Sequence, residues 1–287
     1  MFKVVRDLFR HDGRFAFGFC MILGIVFLAL LYSLCPYDLS IWNTVPRDRP
    51  PSAKYLLGTN SQGQDVFWYA TAAIRNSLLI GIVAALLSRV IAVLVALIAG
   101  YRGGRTDRIL MSINDSFVVL PLLPVLVLVA SMLRGRMGLL GLGVVLAVFG
   151  WAWDARLMRA QILSLREREF TKTAILSGMT SLRLVLGEHL PFVIPLIMAT
   201  AINNISFVIG TEIVLAVFGL SSLETPTLGV MIYWSVNYQA MLLGIWWWLL
   251  TPVVICILLI LSLYLLSVSI SDFLDPRTRM QVIKVRG

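Results

Sequence analysis

From Thr225 to Ser271 the chain runs for 47 residues without a charged side chain. A helix of about 20 apolar residues crosses the hydrocarbon core of a bilayer, so this run holds one crossing with residues to spare. Phe15–Tyr37 is a second uncharged stretch, of 23 residues. Inside lipid every backbone N–H and C=O must be satisfied within the protein, which leaves helices or closed barrels. Strand alternation is absent from these runs, so they read as helices. Composition agrees, with 59% hydrophobic and 14% charged residues, where a soluble domain carries about 25% charged. The expected class is an all-α membrane protein.

Apolar runs place six spans, at about 15–36, 76–101, 113–133, 137–156, 192–219 and 241–268. The first exceeds a signal-peptide core of about 7–15 residues, so it reads as a retained span. Lysine and arginine set the direction. Lys3, Arg6, Arg10 and Arg14 precede the first span. Arg102, Arg105 and Arg108 follow the second, and Arg156, Arg159, Arg166, Arg168, Lys172 and Arg183 lie between the fourth and fifth. Arg277, Arg279, Lys284 and Arg286 close the chain. The other face has Arg47, Arg49, Lys54, Arg75, Arg134 and Arg136. Both termini are therefore expected in the cytoplasm of a multi-pass protein of the cell (inner or plasma) membrane. The organisation expected is an N-terminal segment 1–14, the first span 15–36, an external loop 37–75, a five-span core 76–268 and a tail 269–287.

The net charge of +9 is spread between apolar runs, so it speaks for topology and not for nucleic acid. Cys20, Cys35 and Cys256 are far apart, and the two histidines, His11 and His189, make no metal-ligand spacing. Neither a metal site nor a disulfide framework is expected.

One segment departs from the apolar pattern. Glu167–Pro191, EREFTKTAILSGMTSLRLVLGEHLP, is charged and amphipathic. Ile175, Met179, Leu182 and Leu186 share one helical face, and Phe170, Ala174 and Gly178 form a second line. Gly178 can end a helix in the left-handed conformation, and Thr180 or Ser181 can cap the next. The local expectation is a short helix, a glycine turn and a second helix. By pattern alone the segment suits an interfacial helix on lipid or a protein-docking helix.

Ala174 with Gly178 four residues on, followed by His189-Leu190-Pro191, resembles the coupling-helix motif of binding-protein-dependent ABC importer permeases. That motif opens Glu-Ala-Ala, and Lys172 and Thr173 depart from it. Leu57-Gly58-Thr59-Asn60-Ser61-Gln62-Gly63-Gln64-Asp65 resembles the LGTDxxGRD segment of dipeptide/oligopeptide-type subunits, with departures at Asn60 and Gln64. Ala99 to Asp107, AGYRGGRTD, is similar to the AGYxGGxxD turn after the second span. Asp115, Pro121, Ala155-Arg156 with Arg159, Phe218-Gly219-Leu220 and Leu274-Asp275-Pro276-Arg277 match further stretches. The resemblance runs from about residue 15 to 279 and is to the C-type permease subunit.

The resemblance implies a type I importer permease fold with a cytoplasmic coupling helix at about 167–187. It implies half of a translocation path, a second homologous permease subunit completing a heterodimer, two cytoplasmic ATPase subunits and an external substrate-binding protein. Substrates of the family include di- and oligopeptides, metal complexes and oligosaccharides, with peptides the default. Glu169, Lys172, Thr173, Ala174, Ile175, Gly178 and Met179 are the expected ATPase-coupling residues, with Ala174, Ile175 and Met179 as the apolar face and the charges as its rim. The chain itself carries no GxxxxGK[ST] loop. No cofactor is expected in it, and ATP and Mg belong to the partner ATPase subunits. No catalytic residue is expected: there is no GxSxG or HExxH, and the histidines fall at the cytoplasmic edge. A stand-alone secondary transporter or channel explains the spans but not the glycine-centred segment, and no inverted repeat is evident.

Two charges fall well inside spans, Arg89 in the second and Glu212 in the fifth. Each is costly there, about 2.5–3.5 kcal/mol for a central arginine on insertion scales. They line the path or pair as ions, with each other or with a partner subunit; Arg89 is expected to face protein or water and not lipid. Trp246, Trp247 and Trp248, with Trp234 and Tyr238, are expected to form an interfacial belt.

Overall fold

The computed structural model describes residues 9, 12–133 and 138–274. The charges expected at Lys3, Arg6, Arg10, Arg134, Arg136, Arg277, Arg279, Lys284 and Arg286, together with His11 and the Asp275-Pro276 match, lie outside the described residues. Every regular element among them is helical: α1 Gly13–Leu31, α2 Val66–Arg102, α3 Gly104–Val119, α4 Leu122–Met132, α5 Leu139–Gly150, α6 Ala152–Arg166, α7 Glu169–Leu176, α8 Ser181–Leu184, α9 Leu190–Val217, α10 Leu228–Asn237 and α11 Trp246–Leu274. Four helical stretches are long and apolar enough to cross a membrane, and the count reaches six if each of two bent pairs is one span.

The bent pairs replace the single spans expected at 113–133 and 137–156, and their breaks have local causes. α3 and α4 meet at 83°. Pro121 supplies no N–H and excludes helical backbone from the residue before it, and Leu120 accordingly has ψ 133. α5 and α6 meet at 45°, across Gly150 and Trp151. The end of α5 frees a carbonyl that lipid cannot satisfy, and asparagines bond the backbone on either side of the break. Asn204 Nδ2 donates to Gly150 O at 3.1 Å, and Asn114 Nδ2 donates to Ala152 O at 2.7 Å.

α2 is the centre of the packing, with α5, α6 and α9 around it, while α1 lies against α11. It starts at Val66, ten residues before the expected second span, because Asp65 caps it by accepting from Phe67 N at 2.9 Å. Its early turns carry Arg75, whose guanidinium lies over the Tyr32 ring at 5.1 Å. At its other end Gly100 lets α6 approach closely. An added Cβ there would sit 2.9 Å from Ile162 Cγ2. The two helices share one cluster of buried residues that includes Ala92, Ala96, Ala155, Met158 and Ile162.

The stretch after the fifth span is not a plain loop. It contains α10, whose Leu228, Gly229, Val230 and Met231 are buried. The tryptophans also depart from a simple belt. Trp246 is exposed, but Trp247 and Trp248 are buried, and Trp247 Nε1 donates to Thr59 O at 3.1 Å. That bond anchors the LGTNSQGQD segment over the start of α11. Within the segment the two departures from the family pattern face one another. Asn60 Nδ2 donates to Gln64 Oε1 at 3.1 Å, and Asn60 Oδ1 accepts from Gln64 N at 2.8 Å. The family's aspartate and arginine at these two positions have opposite charges; here a neutral amide pair occupies them.

Replacing Gly100 with leucine overpacks the α2–α6 contact. The expected loss is about 1–3 kcal/mol, read as a lowered thermal midpoint in detergent, with Gly100→Ala losing less.

Candidate functional site

α6 ends at Arg166, and after Glu167 and Arg168 the chain re-enters helix as α7. Glu169 opens α7, where a carboxylate complements the positive end of the helix dipole. Thr173 Oγ1 donates to Glu169 O at 3.0 Å, and Ser177 Oγ donates to Thr173 O at 2.9 Å. Gly178, at φ +80, closes the helix. Gly178 N donates to Ile175 O and Met179 N to Ala174 O, at 3.0 and 3.1 Å. This crossed pair satisfies the last carbonyls of α7 through a left-handed residue, a conformation that costs glycine least.

The helix stands out from the body of the protein. Glu169, Lys172, Thr173, Ile175 and Gly178 are exposed, and Ala174 and Met179 are half-buried. Leu176, which the sequence pattern did not single out, is 88% exposed and the most open apolar side chain of the segment. Its signal was present as an apolar residue beside Ile175, but it lies off both periodic lines. Those lines do not run through: the turn at Gly178 separates Ile175 from Leu182 and Leu186, so the four do not share one helix face. The second helix is a single turn, α8. Thr180 occupies its N-cap position without a side-chain cap bond. A wide π-type turn, Val185–His189, then joins it to α9. Pro191, near the start of α9, supplies no N–H to the preceding turn, and a wide turn accommodates that loss.

Two buried charges lie within the spans. Arg89 is 5% exposed. Its Nη2 is paired with Asp154 Oδ2 at the start of α6, and its Nη1 donates to Thr200 Oγ1 of α9 at 2.8 Å. The structure does not bring Arg89 and Glu212 together, so the pairing of the two considered from sequence is corrected to Arg89 with Asp154. Asp154 escaped notice because it sits within the last three residues of the expected fourth span, in GWAWDAR. Glu212 is 1% exposed. Its Oε1 accepts from Thr227 Oγ1 at 2.6 Å and from Ser221 Oγ at 3.4 Å. Thr227 is the N-cap of α10, so the carboxyl lies at a helix N-terminus, where the dipole favours negative charge. Further along α6, Arg159 holds Asp107 through two bonds of 2.5 Å, linking α6 to α3.

The pattern of binding-protein-dependent transport system inner membrane components matches residues 92–280. The chain is 31% identical over 278 residues to the oligopeptide transport system permease protein OppC of Mycobacterium tuberculosis H37Rv, covering 96% of this chain and 94% of that protein. It is 30% identical over 249 residues to the dipeptide transport system permease protein DppC of Bacillus subtilis, covering 86% and 76%. It is 29% identical over 279 residues to the nickel transport system permease protein NikC of Escherichia coli, covering 93% and 95%.

The Arg89–Asp154 pair yields a direct test. Arg89→Met leaves the half-buried Asp154 unpaired, and the expected loss is about 3 kcal/mol, the low end for a broken buried pair. Adding Asp154→Leu recovers most of it. Thermal unfolding of the single and double variants in detergent measures both.

Proposed function

We propose that this chain, which belongs to the family of binding-protein-dependent transport system inner membrane components, forms half of the membrane path of an ATP-driven importer of di- or oligopeptides. A second, homologous permease subunit supplies the other half. Two ATPase subunits bind ATP and Mg, one docking on α7 and the other on the matching helix of the partner permease, and an external binding protein delivers the substrate. The chain works as a mechanical part and not as an enzyme. The observation that carries the docking is α7 itself, a short helix closed by a left-handed glycine. It presents Ile175 and Leu176 outward beside Glu169, Lys172 and Thr173.

An exposed apolar pair on a helix end suits a groove in a partner protein, and the charges around it suit a polar rim. Lys172 and Thr173, which replace the usual Glu-Ala, place a cation and a hydroxyl on that rim. The basic residues on the same side as α7 support a cytoplasmic location for it and for both termini, in the cell membrane. The OppC and DppC relatives favour peptide as substrate. The nickel relative favours a second reading, a metal complex carried along the same path. Ligand analysis of the binding protein that stimulates this transporter separates the two.

Substituting Gly178 by valine forces a β-branched residue to φ +80, a strain of about 1–3 kcal/mol. Ile175→Asp puts a charge into the contact, and loss of an interface anchor costs about 2 kcal/mol or more. The expected result for both is weaker co-purification of the ATPase subunits and reduced substrate-stimulated ATP hydrolysis, by about tenfold or more for Ile175→Asp. Unchanged association and hydrolysis in both variants would overturn the docking.

A further inference from the structure

Thr171 is the sole buried residue of α7. Its partner is His189, in the turn that leads into α9, and neither has any exposed surface. Thr171 Oγ1 and His189 Nε2 are 3.0 Å apart. The hydroxyl proton is already committed, because Thr171 Oγ1 donates to Leu165 O at 2.8 Å. Its lone pairs remain for the imidazole, so the ring must carry its proton on Nε2 and donate. Nδ1 has no hydrogen-bond partner among the described residues. A second ring N–H would therefore be buried and unpaired, and the arrangement holds a neutral imidazole of one tautomer.

Four elements meet at this point. Leu165 lies in the last turn of α6, Thr171 belongs to α7, and His189 precedes α9. Tyr101, at the end of α2, sets its ring edge-on to the imidazole with centroids 6.1 Å apart. Phe170 does the same from α7 at 6.4 Å and stacks on Phe192 of α9 at 5.5 Å. The rest of α7 is exposed or half-buried, so this is where the helix is fastened to the membrane body.

We propose that Thr171 and His189 form the joint through which displacement of α7 reaches the fifth span. They are positioning residues for coupling: the hydroxyl ties α7 to the end of α6, and the imidazole ties the same hydroxyl to the start of α9. A push on α7 is thereby delivered to α6 and α9 together. The inference rests on the reading of α7 as the ATPase-docking helix.

The test uses the whole transporter in liposomes: this chain, its partner permease, the ATPase subunits and the binding protein purified with its natural ligand. Thr171→Val and His189→Leu remove the bond while keeping bulk. Thr171→Ser and His189→Gln keep a hydroxyl and an N–H donor. The expected result is that ATPase subunits still co-purify with all four variants. Stimulation of ATP hydrolysis by the loaded binding protein falls about tenfold in the first two and is restored in the second two. Full stimulation in Thr171→Val would overturn the joint, and so would an equal loss in all four variants, which marks simple packing. If His189→Leu does not assemble, the Thr171 pair decides. Failure of the docking reading shows separately, as ATPase association that survives Ile175→Asp.

Discussion

A guanidinium inside an apolar layer must find an anion and acceptors within the protein. Arg89 finds both, in Asp154 and Thr200, and the arrangement of the spans around α2 follows from it. The pair holds the beginning of α6 against the middle of α2, and the threonine brings α9 to the same place. Around it Ser88 meets Asn204 at 3.2 Å, and Asn204 in turn meets the carbonyl freed at the α5–α6 break. The bend that turns the chain towards α7 is therefore built on the same polar layer that keeps the charge out of lipid. Buried pairs of this kind contribute little net stability compared with apolar packing, but losing one partner is costly.

The apolar runs were legible because lipid penalises unsatisfied backbone so heavily that span positions are set by composition alone. The first, fifth and sixth spans follow the hydropathy closely. The third and fourth do not, because hydropathy averages over Leu120–Pro121 and Gly150–Trp151 and cannot see that the backbone turns there. α10 was missed for the opposite reason. It is ten residues long, too short to cross, and packed against longer helices that sequence periodicity does not register.

The site was legible in outline. The glycine turn after α7 could be read from one residue, since a left-handed helix end favours glycine and the hydrogen bonds follow from it. Which side chains stand out was less accessible. A single helical face running from Ile175 to Leu186 assumes one unbroken helix, and Gly178 divides it; Leu176 becomes prominent only once the helix ends beside it. The two departures at Asn60 and Gln64 looked independent in sequence and proved to be one interaction. Partners far apart in the chain, such as Arg89 with Asp154, depend on helix rotation, which a hydropathy pattern does not define.

α2 spans 37 residues without a break, about 55 Å at the rise of an α-helix, well beyond a hydrocarbon core of about 30 Å. One end is capped by Asp65 beneath the folded LGTNSQGQD segment, and the other lays Tyr101 against His189. It is one continuous helix held at both ends, with no chain break along its length between the two faces of the protein. One continuous helix thus joins the folded LGTNSQGQD segment on one side to the aromatic contact with His189 on the other.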